Sequence, residues 1–211
     1  MIFYRFTLLL CLLCLVSACK KADTIAPEIT LLEDTVPVHY LHEIYTDPGA
    51  TVLDNHSCEL GNFLSVANYV DIDNYGTYRV VYAVADASDN LATAERKVDI
   101  VLRTENYFHL TYAASDTCTS GNYFYNGLIQ DCACEANAVT VANISNFGLS
   151  AIFTLPISGV YNEILTLDTT KAAITFNGFA RMSTNADTLF WNYTIADSVT
   201  SDVCRSVWIK Q

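Results

Sequence analysis

Four histidines and eight cysteines are the residues of this chain best suited to nucleophilic, acid–base or metal chemistry. Their spacing argues against most of it. A hydrolase needs a nucleophile, a base and an orienting group brought together. His39, His42, His56 and His109 are scattered through predicted loops and edge strands. No G-x-S-x-G elbow, H-E-x-x-H pair or glycine-rich phosphate loop accompanies them. Two carboxylates could still cleave a glycoside, yet the acids of the second half fall mostly in turns. The expectation is a non-enzymatic protein without a cofactor.

The cysteines read as structural. Cys132-Ala133-Cys134 could offer two thiolates to a metal, but no histidine or further cysteine lies close enough in sequence to complete a tetrahedron. Either one of the two pairs elsewhere, or the two close a strained local bridge. Cys118 and Cys204 lie near the start and end of the C-terminal half, so a disulfide between them would close it. In the chain-entropy model a loop of that size contributes at most roughly 4–5 kcal/mol. Cys58, alone in the first half, is a free buried thiol or a partner across domains. Asp47, Asp54, Asp71, Asp73, Asp86 and Asp89 raise the question of calcium, which needs about six to eight converging oxygens. Asp71-Ile72-Asp73 has the local spacing, with nothing sequence-close to complete it. Aspartate is also the default turn residue, through its hydrogen bonds to nearby backbone amides. No metal site is assigned.

The elements that must position these residues are strands. Charged residues make up 16% of the chain, and the rest is rich in Thr, Val, Ile and Tyr, a composition that suits pleated, half-buried surfaces. In the first half, Ala26-Pro27-Glu28 opens a strand at Ile29–Leu32, and Asp34–His39 is a short edge segment. Tyr45–Ala50 and Asp54–Ser57 are turn chemistry, and Val66–Ile72 is a middle strand. Gly76–Val84 alternates, with Tyr78, Val80, Tyr82 and Val84 on one face. Asp86–Asn90 is a hairpin turn and Leu91–Leu102 the returning strand. Short strands with turns every eight to twelve residues or so mean a sandwich.

The second half repeats strand-like segments at Tyr107–Ala113, Asn122–Ile129, Ala138–Ile144, Leu149–Leu155, Glu163–Leu167, Ala172–Phe179, Thr188–Ile195 and Val203–Lys210. Their short links predict an antiparallel up-and-down meander, closed as a small barrel or folded as a sandwich. Closure removes exposed edges. Leu189, Trp191, Tyr193 and Ile195 share one face, and Phe190, Asn192 and Thr194 the other. The fold class is all-β.

The formal net charge is −12, or −13 without Arg5. No Lys/Arg cluster exceeds the pairs Lys20-Lys21 and Arg96-Lys97. So acidic a surface repels phosphate backbones, and nucleic-acid partners are excluded.

Residues 1–18 have the order of a secretory signal: Arg5, then an apolar run from Phe6 to Val16, then small residues. The run is too short to span a bilayer as a stable helix. Leu15-Val16-Ser17-Ala18-Cys19 resembles the lipobox of bacterial lipoproteins. The resemblance implies diacylglycerol on the Cys19 thiol, cleavage before Cys19 and acylation of the new amino group. One acyl chain anchors marginally and two or more anchor stably, at about 0.8 kcal/mol per buried CH₂. Lys20 rather than Asp after the cysteine favours the outer membrane, by resemblance to inner-membrane retention rules. Residues 19–25 then form a polar tether.

Ala26-Pro27-Glu28-Ile29-Thr30-Leu31, Tyr45-Thr46-Asp47-Pro48-Gly49-Ala50, Gly76-Thr77-Tyr78, and Tyr82–Asp86 with Asn90–Ala94 occur in that order. Together they resemble the bacterial surface Ig-like domain family, named after the Ig-like module of a pesticidal crystal protein. The resemblance implies an Ig-like β-sandwich over 26–103, found in lipoproteins and surface proteins of Bacteroidetes-type bacteria, serving as spacer or adhesion module. The family's D-N-x-D-G-D-L turn is replaced by Asp54–Leu60, and its A-G-N hairpin by Ser88-Asp89-Asn90. Residues 105–211, with Ser115–Cys118, Val139–Phe147 and Cys204–Trp208, resemble more loosely the C-terminal β domains that follow such modules. Asp23-Thr24-Ile25 looks like the O-glycosylation motif of Bacteroidetes secreted proteins, which makes Thr24 a candidate glycosylation site.

These readings converge on a cell-envelope lipoprotein, held to the membrane through lipid on Cys19, whose Ig-like module presents a C-terminal β domain. Its partners would be envelope proteins or glycans. The alternative is a lipoprotein that holds a lipid or glycan in the C-terminal domain. Tyr, Phe and Trp are plentiful enough to line such a pocket, although in small barrels they more often fill the core.

Overall fold

The structure is a computed structural model that describes residues 23–33, 38–56, 60–133, 138–146, 148–154, 163–165, 169–171 and 173–211. Strands dominate, as the alternating sequence dictates. The first are β1 (Glu28–Leu31), β2 (His39–Tyr40), β3 (Ala50–Leu53), β4 (Ser65–Asn68), β5 (Gly76–Ala85) and β6 (Leu91–Val101). Then come β7 (His109–Cys118), β8 (Gly121–Asp131), β9 (Ala138–Ile144), β10 (Leu149–Thr154), β11 (Glu163–Leu165) and β12 (Thr169–Lys171). The last are β13 (Ile174–Met182), β14 (Thr188–Ala196) and β15 (Ser201–Lys210). The predicted edge segment Asp34–His39 lies largely outside the described residues.

The chain parts into two compact units. Among described residues, the first draws on the stretch ending at Leu31, Ala50–Val66 and Tyr82–Ala94. It contains the antiparallel pair β1 and β3, in which Glu28 faces Leu53 and Leu31 faces Ala50. The second draws on Leu32–Gly49, Ala67–Val81 and Glu95–Gln211. A four-stranded sheet has the order β2-β6-β5-β4, and β2 joins β6 in parallel. Its buried face follows the period-two pattern of a strand. Val80, Tyr82 and Val84 of β5 are buried, as are Val98 and Ile100 of β6.

Within the second unit, β10-β9-β8-β7-β15-β14-β13-β11 form one sheet, and β12 also pairs with β13. β7, β8, β9 and β10 pair in chain order, as do β13, β14 and β15, and β7 pairs with β15 antiparallel. This is an up-and-down meander whose first and last strands are joined. The sheet curls until β10 and β11 touch, which makes it a barrel-like shell.

The inward face of that shell is layered. Leu189 of β14, Trp208 of β15 and Ala114 of β7 are in register across three strands, and all three are buried. The Trp208 ring lies 5.6 Å from Trp191 and 5.9 Å from both Tyr112 and Tyr125. Rings of this size fit because the shell leaves room for them. A Cβ added at Gly127 would meet the Trp208 ring at 2.2 Å, and one at Gly178 would meet Asn192 O at 2.3 Å. Among the described residues the aromatic side chains therefore fill this part of the interior.

Candidate functional site

Two residues further along each strand, the next inward layer is polar. Asp116 of β7 is in register with Ser206 of β15 and Tyr123 of β8, and it is 0% exposed. A buried carboxylate requires hydrogen-bond donors. Tyr125 donates at 3.1 Å and Tyr193 at 2.5 Å, and the Ser206 hydroxyl donates as well. Tyr125 in turn accepts the Ser145 backbone N–H at 2.9 Å. Burial, followed by the charge of Asp116, pushes the Tyr125 phenol far above its usual range. Tyr193 moves the same way, chiefly through burial. Both hydroxyls therefore stay protonated and keep donating.

The next layer is the Cys118–Cys204 disulfide, which bridges residues in direct register on β7 and β15. It stitches the first strand of the meander to the last. Beyond it the shell opens into a cleft of about 770 Å³. The β7–β8 hairpin brings Thr119, Ser120 and Tyr123 to this cleft, and the β14–β15 hairpin brings Asp197 and Asp202. The β9–β10 hairpin brings Ser145 and Asn146, both with positive φ. Its backbone is held there because the Asn143 side chain donates to Asn126 O at 2.7 Å and accepts from Gly148 N at 3.1 Å.

The cleft carboxylates are fixed acceptors. Ser120 backbone N–H donates to Asp202 at 3.1 Å, and the Ser120 and Thr119 hydroxyls donate to it too. The Ser120 hydroxyl holds Asp202 below the usual carboxylate range, seconded by Thr119. Asp197 Oδ1 takes the backbone N–H of Thr200 at 2.6 Å and of Val199 at 2.7 Å. Those two bonds, Thr200 first, lower its pKa likewise. Ser120 Oγ lies 3.0 Å from Tyr123 OH, so a chain of hydroxyls runs from Asp202 to a ring that is 45% exposed. Among the described residues, no lysine or arginine lines the cleft.

A second buried charge lies on β6. Arg96 is 4% exposed, and its Nε meets Asp47 Oδ1 at 3.0 Å. Its other nitrogens donate to Glu33 O at 2.9 Å, Leu32 O at 2.6 Å and Gly49 O at 2.9 Å. Tyr45 OH donates to the same Asp47 oxygen at 3.1 Å. The Tyr45–Ala50 motif is thus an irregular segment leading into β3, clamped by one guanidinium fork. Asp47 is committed to that role.

The other aspartates weighed for calcium diverge. Asp71 accepts from Asn74 at 2.9 Å and from Asp73 N at 2.9 Å, and Asp73 faces His42 at 3.2 Å. In the first unit Asp54 and Asp86 come together with Asp23, their carboxylate oxygens within 4.8 Å of one another. Asp86 takes Asn90 Nδ2 at 2.8 Å, Asn90 N at 2.9 Å and Ser88 N at 2.8 Å, and His56 faces Asp23 at 3.3 Å. Three carboxylates fall short of a calcium shell.

The histidines are far from one another in role. His39 makes an edge-on contact with Tyr45, and His109 Nε2 lies 2.6 Å from Gln211 O. Cys132 is disulfide-bonded. Cys19, Cys58 and Cys134 lie outside the described residues, and Thr24 is exposed. Asp116, Tyr125 and Asn146 were not singled out as site residues from the sequence. The signal available was an acid at an inward position of an alternating strand, between Ala114 and Cys118.

Residues 29–100 of this all-β chain match the family model described as bacterial surface protein, Ig-like domain. The crystal structure of a lipoprotein from Bacteroides thetaiotaomicron is similar at 17% identity and a TM-score of 0.36, covering 88% of this chain and 100% of that one. No curated protein matches the chain. No helix among the described residues is long and apolar enough to cross a membrane.

Proposed function

We propose that this protein is a non-catalytic cell-envelope lipoprotein with an adhesion, scaffold or spacer role. Acyl chains on Cys19 hold it to the membrane, the outer membrane by the Lys20 criterion, and the Ig-like region presents the C-terminal β region. The observation that carries the reading is the Ig-like match at 29–100, placed directly after a lipobox that ends at Cys19. The polar residues of the barrel support it. Asp116 is saturated by hydroxyls, and Ser120 is engaged by a carboxylate and a phenol, with no imidazole among the described residues of the cleft lining to act as base. Fractionation with metabolic palmitate labelling tests the anchor. Cys19→Ala should abolish label and move the protein from membrane to soluble fractions. Unlabelled wild-type protein, or a variant that stays on the membrane, would refute it.

A further inference from the structure

We propose that the cleft at the Cys118–Cys204 end of the barrel binds a neutral, hydroxyl-rich ligand of the oligosaccharide class. The inference rests on the non-catalytic reading above and names what the C-terminal region would adhere to. Its volume, about 770 Å³, lies in the range of sites that enclose organic ligands, about 300–1,000 Å³, and exceeds what a single ion fills.

The lining selects among ligands by chemistry. Among the described residues the cleft lining carries two carboxylates, Asp197 and Asp202, and no basic group, which disfavours phosphates, sulfates and uronates. Ile174 and Ile195 supply one small apolar patch, while the aromatic interior beneath the disulfide is already filled. A sugar combines an apolar C–H face with a rim of groups that both donate and accept. The cleft offers the complement. Tyr123 presents a half-exposed ring, the isoleucines a flat surface, and Asp197 Oδ2 an acceptor, since the bonds to Asp197 all fall on Oδ1. Tyr123 OH and the Asn146 amide both donate and accept. An ammonium ligand would use only the acceptors and leave those donors idle.

The geometry is also prearranged. Three hairpins meet at the cleft, tied by the disulfide, by the bond from Ser145 N to Tyr125 and by the bonds from Ser120 and Thr119 to Asp202. Fixing these loops before binding reduces the ordering cost of the complex.

The test is saturation-transfer NMR and calorimetry on the detergent-solubilised full chain, which is valid whether or not Cys19 is acylated. The probes are maltohexaose, mannohexaose, xylohexaose and N-acetylchitohexaose, with hexagalacturonate and spermidine as charged controls. At least one neutral hexasaccharide should bind, and Tyr123→Ala should weaken it by about tenfold, the scale of one stacked ring. Asn146→Ala should weaken it less. Phe190→Ala, on the outer face of β14, should leave it unchanged, with melting temperatures reporting that each variant is folded. No binding by any neutral probe overturns the proposal. So does binding that survives both cleft variants, or a cleft that takes spermidine in preference to sugars. None of these results bears on the anchor, which Cys19→Ala tests separately.

Discussion

Two of the buried charges among the described residues, Arg96 and Asp116, are satisfied in opposite ways. Arg96 has a counter-ion, Asp47, and spends its remaining N–H groups on three backbone carbonyls. Asp116 has no cation beside it among its hydrogen-bond partners, only the hydroxyls of Ser206, Tyr125 and Tyr193. Carbonyls can only accept, whereas hydroxyls donate or accept by rotating. The clamp around Arg96 is therefore specific to a cationic fork. The knot around Asp116 should adapt to a neutral group. What the difference teaches is that burial alone does not say how costly a charge is to replace; the versatility of its partners does.

Beside the Asp116 knot the barrel has a covalent tie that the Arg96 clamp lacks, and removing it should have the largest effect. The Cys118–Cys204 bridge spans 86 residues, for which the chain-entropy model gives at most roughly 4–5 kcal/mol. A Cys118→Ala, Cys204→Ala double variant should lose stability of that order in urea unfolding, with midpoint and slope both fitted because removing the cross-link expands the unfolded chain. A loss below about 1 kcal/mol would mean that strand pairing and the Asp116 knot hold the seam unaided.

Arg96→Ala comes next. Breaking a buried pair by removing one partner costs about 3–5 kcal/mol, and here the three carbonyls lose their donor as well. Arg96→Lys should recover only part of the loss, because an ammonium cannot reproduce the planar fork. Full recovery by lysine would show that the clamp needs charge rather than geometry, and the contrast with Asp116 would weaken.

Asp116→Asn should cost far less, about 1 kcal/mol, near the net worth of one hydrogen bond. One of the three hydroxyls can turn to accept from the new amide. Thermal unfolding of both variants side by side measures the gap directly. If Asp116→Asn destabilises as much as Arg96→Ala, hydroxyl partners are no more forgiving than carbonyls and the distinction fails.

How much of this was legible in the sequence differs between the two charges. The period-two face of Gly76–Val84 and that of Leu189–Ile195 follow from pleating, and Val80, Tyr82, Leu189 and Trp191 are buried accordingly. The four Ig-like motifs were legible because turns use residues with local reasons to be there, such as Pro48 and Gly49. The role of Asp47 was not. It sits in a stretch that reads as a turn, where aspartate needs no further explanation, and its partner is on a distant strand in what looked like a basic pair, Arg96-Lys97. Asp116 was hidden for the same reason in reverse. Its donors come from β8, β14 and β15, and nothing in local sequence says which strands will be neighbours. The convergence of Asp23, Asp54 and Asp86 likewise joins a tether and two turns through tertiary structure alone.

Acid gives the smallest effect expected, through two carboxylates held by local hydrogen bonds. Asp86 is held below the usual range first by Asn90, and Asp202 first by Ser120. A carboxyl whose folded pKa lies below its unfolded value, about 3.9, stabilises the fold above that value. The contribution is lost as pH falls from about 4 through the folded pKa, since the unfolded chain takes up the proton more readily. Melting temperature should thus be flat from pH 7 to about 5 and then fall. Asp86→Asn, at a buried carboxylate, and Asp202→Asn, at a half-buried one, should each lower the plateau and flatten the acid limb. An acid limb that keeps its full slope in both variants would place the acid sensitivity elsewhere.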